Sequence, residues 1–176
     1  QMPQFVALLN GLGGLASALV AYGSLNVGGG LEKYASQIAL AVGLLTASGS
    51  AVAAGKLARM LPQRPVILKG HSVIVGGLLL LTVIAIIAKA STLVVIASLL
   101  FGVFFSIRVG GADMPITISL LNSLSGVAGG VAGIAIGDPV LTCIGGVVGA
   151  SGLLLTQIMG RAMNPASRIS SWGGRR

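Results

Sequence analysis

Six apolar runs fill most of this chain, at about 3–22, 34–55, 72–88, 92–107, 115–136 and 140–160, and almost no charge interrupts them. A hydrocarbon core about 30 Å thick is crossed by about 20 apolar residues in a helix. Only a helix or a closed barrel satisfies its own main chain there. The expectation is therefore an all-α integral membrane protein with six transmembrane helices in one domain, 1–164, followed by a basic C-terminal tail, 165–176. The third and fourth runs are short and separated only by Lys89-Ala90-Ser91. Joined, they are too long for one span, so a tight helical hairpin is predicted.

Composition agrees. Charged residues make up 8% of the chain, where a soluble domain carries about 25%. Glycine, at 28 of 176 residues, is enriched inside apolar runs, as in membrane helices that approach one another closely. Glu32, Asp113 and Asp138 are the only carboxylates, beside one histidine and one cysteine. That inventory excludes a disulfide framework and a multi-cysteine metal site, and it leaves little for acid–base or nucleophilic catalysis. The net charge of +8 does not indicate a nucleic-acid partner, because the basic residues cluster at helix ends rather than on a soluble basic face. The chain opens on Gln1, consistent with a processed N-terminus or a segment of something longer.

Orientation follows from lysine and arginine in the connections. Lys56, Arg59, Arg64, Lys69, Arg108, Arg161, Arg168, Arg175 and Arg176 fall on one side, and Lys33 and Lys89 on the other. Both termini are expected on the cytoplasmic or matrix face of a bacterial cytoplasmic or mitochondrial inner membrane.

The first and fifth runs are related. Met2–Gly14 and Met114–Gly126 agree at seven of thirteen positions, including Met-Pro and an asparagine, Asn10 or Asn122. The following helices share Ala47-Ser48-Gly49 and Ala150-Ser151-Gly152. Helices 1–2 and 5–6 thus read as a parallel internal repeat, related by an axis along the membrane normal. Each asparagine lies about 10 Å inside its helix and needs a partner or water. It serves either as interhelical glue or as the lining of a hydrated path.

Other features read structurally. Gly145, Gly149 and Gly152 form a smooth packing face on the sixth helix. Gly11-Leu12-Gly13-Gly14-Leu15-Ala16 fits a dinucleotide pattern but follows no strand. His71 is expected as a solvated residue of the Lys56–His71 loop, and Cys143 as inert packing. Asp113 sits at a helix start, where the dipole favours a carboxylate, with Arg108 near enough to pair and a Gly110-Gly111 turn beside it.

Gly110-Gly-Ala-Asp-Met-Pro115, Ser119-Leu-Leu-Asn-Ser123 and Gly126 together resemble the β subunit of proton-translocating NAD(P) transhydrogenase. So do Ser48-Gly-Ser50, Gly55-Lys56-Leu57, Gly149-Ala-Ser-Gly152, Ile158-Met159 and Ala162-Met163-Asn164. The resemblance runs from Gln1 to about Asn164. It implies a membrane domain that conducts protons while hydride passes between NADH and NADP⁺ on soluble domains. Asn122 and Ser50 match polar positions of the proton path. Asp113 and Arg161 match the surface facing the NADP(H) domain, and Gly145, Gly149 and Gly152 match a closely packed glycine helix. Asn10 aligns with a position that is histidine in many members, and asparagine cannot titrate. In the family the chain continues into an NADP(H)-binding domain after the Met-Asn motif, whereas here it ends soon afterwards. No cofactor is expected on this chain, with NAD(H) and NADP(H) implied on partner domains.

Two readings follow. In one, the chain is the proton-channel part of a transhydrogenase, its partners being NAD(H)- and NADP(H)-binding subunits or domains. In the other, it is a membrane-only relative without catalysis, a structural subunit of a larger inner-membrane complex. A small-solute transporter rests on the repeat alone and lacks a charged midplane site.

Overall fold

The computed structural model describes residues 2–27, 29–67 and 70–163. Six α-helices appear in order: α1 (Met2–Ser24), α2 (Gly30–Leu57), α3 (His71–Ile87), α4 (Ser91–Ile107), α5 (Met114–Ile136) and α6 (Pro139–Met163). A short 3₁₀ turn, Gly111–Asp113, precedes α5. Among the described residues there is no strand. α1, α2, α5 with its 3₁₀ lead-in, and α6 are long and apolar enough to cross a membrane; α3 and α4 have 17 residues each.

Local chemistry sets the helix ends. Glu32 Oε2 accepts the Gly29 N–H at 2.8 Å, so α2 starts at Gly30, ahead of its apolar run. Gly137 takes a left-handed conformation (φ 72°) that ends α5. Asp138 Oδ1 then accepts the N–H groups of Val140 and Leu141 and caps α6, with Pro139 at its first position, where the missing N–H costs nothing.

α2 is the hub, packing against α1, α5 and α4, with α3 held mainly by α4 and α6 by α5. The two close pairs run antiparallel. Along α1 and α2, Gly11 meets Ser50, Gly14 meets Thr46 and Ser24 meets Ser36. Along α5 and α6, Gly133 meets Thr142, Gly130 meets Gly145, Gly126 meets Gly149 and Ser123 meets Gly152. Small residues at these crossings bring main chains together, which is where van der Waals packing between membrane helices is gained.

Lys56, Arg59, Arg64, Arg108 and Arg161 gather at one end of the bundle, and Lys33 and Lys89 line a single cavity at the other. Lys69, Arg168, Arg175 and Arg176, with the basic tail, lie outside the described residues. All three carboxylates stand at helix starts.

Candidate functional site

Asn10 and Ser50, forty residues apart in sequence, are in direct contact. The Asn10 amide Nδ2 donates to Ser50 Oγ at 2.9 Å, and both residues are buried. Glycine permits this. A Cβ on Gly11 would stand 3.1 Å from Ser50 Cβ, and one on Gly14 would stand 2.8 Å from the Gly43 carbonyl oxygen. The adjacent serines of α2 serve opposite neighbours. Ser50 faces α1, whereas Ser48 packs where a Cβ on Gly102 of α4 would fall.

The second asparagine lies across a groove. Asn122 is exposed on α5. It lines, with Asn10, Ser17 and Ser125, a cavity of about 440 Å³ between α1, α5 and α6. Asn10 Oδ1 is buried and has no hydrogen-bond partner among the described residues. A buried amide oxygen left unpaired is costly, so a donor is wanted at Asn10, in the wall of this groove. The side chains around it are neutral: amide and hydroxyl groups order water and orient a proton chain, but none takes up a proton near neutral pH.

Gly145, Gly149 and Gly152 form the buried face of α6. A Cβ on Gly145 would overlap the main chain of Gly130, and one on Gly152 would lie 2.9 Å from Ser123 Cα. Ser123 Oγ donates to the Gly149 carbonyl at 2.6 Å, fixing the same seam. Asp113 and Arg161 are both exposed at the basic end, at the start of α5 and the last turn of α6. Asp113 makes no side-chain cap bond. It lines, with Arg64 and Arg108, an open cavity of about 850 Å³.

Three residues sit differently from expectation. His71 is buried rather than solvated: it opens α3, and its Nε2 lies 3.0 Å from the Phe104 carbonyl oxygen of α4. Lys56 belongs to the last turn of α2 rather than to the loop, and it is fully buried. Its ammonium donates to the carbonyls of Ile107 and Val109. Cys143 is exposed on α6 rather than packed inside. No local pattern marks the first two, because each finds its partner on α4, more than thirty residues away.

The Gly11–Ala16 run does not fit a dinucleotide. Gly11–Ala16 lies in the middle of α1, where main-chain N–H groups bond the preceding turn and cannot cradle a pyrophosphate. Among the described residues no group of three His, Cys, Asp or Glu side chains could hold a metal ion.

Comparison with known proteins places these observations in a family. Residues 1–168 match the family model described as NAD(P) transhydrogenase beta subunit. The NAD(P) transhydrogenase subunit beta of Rhodospirillum rubrum is 35% identical over 181 aligned residues, covering 93% of this chain and 39% of that protein. The same protein from the strain ATCC 11170 matches to the same extent. The chain thus spans about two fifths of the length of these relatives.

Proposed function

Since the chain belongs to the NAD(P) transhydrogenase beta-subunit family, we propose that it is the proton-conducting membrane part of such an enzyme. In this reading all six helices cross a bacterial cytoplasmic or mitochondrial inner membrane, the basic end facing the cytoplasm or matrix. α3 and α4, at about 25 Å each, are at the short end of spanning length. The five-to-two asymmetry of described basic residues supports the sidedness. The two close helix pairs cross at positions that the sequence repeat equates, Gly14 with Thr46 and Gly126 with Gly149, which supports a parallel duplication.

The observation that carries the proposal is the Asn10–Ser50 hydrogen bond beside a groove that Asn122 also lines, with Asn10 Oδ1 unpaired among the described residues. Water held by these groups passes protons along the α1–α5 seam. Hydride transfer between NADH and NADP⁺ takes place on soluble nucleotide-binding domains, and Asp113 and Arg161 form the surface that meets the NADP(H)-binding one. Proton movement biases that contact.

The test uses the assembled enzyme in sealed vesicles. Asn122→Leu and Ser50→Leu should each slow proton-coupled hydride transfer about tenfold, the effect of about 1.4 kcal/mol on the barrier, with nucleotide binding unchanged. Unaltered coupling in both variants would sink the pathway.

One observation favours a second reading, a structural subunit without proton transfer: amides and hydroxyls supply all the polarity of the groove. Purification of the native complex separates the two. An NAD(H)- or NADP(H)-binding chain should accompany this one if it is catalytic, and none if it is structural.

A further inference from the structure

We propose that the cavity at the basic end, between the start of α3 and the end of α4, binds the phosphodiester headgroup of an anionic phospholipid. The proposal rests on the membrane reading above and not on proton transfer.

The cavity, about 850 Å³, is lined by both basic and apolar side chains, as an amphiphile site requires. Arg64 of the α2–α3 loop and Arg108, one residue past α4, bring two guanidinium groups to it from different segments. Val75, one turn into α3, and Phe105, in the last turn of α4, line it, joined by Pro65 and Val109. Charge therefore stands at the end of the bundle and apolar surface deeper along it, in the order of a lipid phosphate and its acyl chains. The neighbouring α3 buries only His71, Thr82 and Ala85 and exposes Val73, Leu79, Leu80 and Ile84, so apolar surface suited to acyl chains continues along the helix that borders the cavity.

The charges favour an anion. Among the described residues Asp113 is the one carboxylate lining the cavity, against two arginines. Behind the wall the buried Lys56 ammonium donates to the carbonyls of Ile107 and Val109, which are neutral partners. The structure holds this frame in place: the Gly111 N–H donates to the Gln63 carbonyl at 2.9 Å, and the Val66 N–H to the Ile107 carbonyl at 3.2 Å. Arginine's planar fork pairs phosphate oxygens in a bidentate way, and basic pockets between membrane helices suit anionic headgroups.

Native mass spectrometry of the detergent-extracted protein, with the chains that accompany it, tests the site. Phosphatidylglycerol should be retained over phosphatidylcholine by about twenty-fivefold, at about fivefold per basic side chain near the surface. The preference should collapse in Arg64→Gln/Arg108→Gln and survive in Arg64→Lys/Arg108→Lys. It should also survive in Arg59→Gln, a change in the same loop that does not line the cavity. Equal retention of the two lipids, or an undiminished preference in the double glutamine variant, overturns the proposal. Displacement of phosphatidylglycerol by inorganic phosphate at equal concentration would make this a free-phosphate site and also overturns it. If the intact complex retains no phosphatidylglycerol, the nucleotide-binding domain that meets Asp113 covers the cavity, and the lipid assignment fails.

Discussion

Lys56 at the end of α2 donates its ammonium to the main-chain carbonyl of Val109 at 2.7 Å, with Ile107 as its second acceptor, so one helix caps the end of another. The last carbonyls of α4 have no partner inside the helix, and a cation is the favourable group there. Through this contact the helix that carries Ser50 is tied to the turn that leads into Asp113.

Replacing Lys56 with methionine should keep the aliphatic packing and remove both hydrogen bonds. The expected loss is about 1.5–3 kcal/mol, the range for hydrogen bonds to a charged group. Unfolding in mixed micelles measures it, and Lys56→Arg should recover part of the loss. A methionine variant as stable as the parent would show that water replaces the cap.

The α5–α6 seam offers a paired test. Gly145→Ala places a methyl group against the Gly130 main chain, and overpacking of that kind costs about 1–3 kcal/mol. Gly146→Ala, one residue on, meets nothing within 4 Å. It should be neutral or slightly stabilising, since alanine is the better helix former. Equal behaviour of the two variants in the same unfolding assay would contradict the seam.

The Asn10–Ser50 bond can be weighed by a double-mutant cycle with Asn10→Leu and Ser50→Ala. A coupling of about 0.6 kcal/mol is expected, within a ceiling near 1.7 kcal/mol for hydrogen bonds between membrane helices. Zero coupling would mean that the two side chains do not meet in the folded protein.

Asp138 caps α6 through two main-chain N–H groups. Asp138→Ala should cost about 1 kcal/mol, and Asp138→Asn, which keeps an accepting oxygen, much less. Thermal unfolding of the three proteins in one detergent checks the order.

How much of this was legible in advance differs from residue to residue. The glycines at 145, 149 and 152 suggest a packing face by spacing alone, and they are the buried residues of α6. Asn10, Ser50 and Asn122 stand out as polar groups in apolar runs. Their spacing does not say that Asn10 would bond Ser50 while Asn122 faces the groove from the exposed side of α5. His71 and Lys56 are the instructive cases. Beside prolines and basic residues each reads as solvated loop, yet each is buried against α4.

The sequence by itself determined what depends on near neighbours: the apolar helical segments and the near-absence of charge within their apolar runs. Hydrophobic runs act within a turn or two of the chain. The tertiary structure alone decided what depends on how one helix is rotated against another. Whether a side chain meets lipid, water or a partner forty residues away is set by the crossing of α1, α2, α4 and α5. That crossing is fixed by the glycines that let main chains touch. The Asn10–Ser50 pair, the Lys56 cap on α4 and the arginine-lined cavity exist only once those contacts have formed.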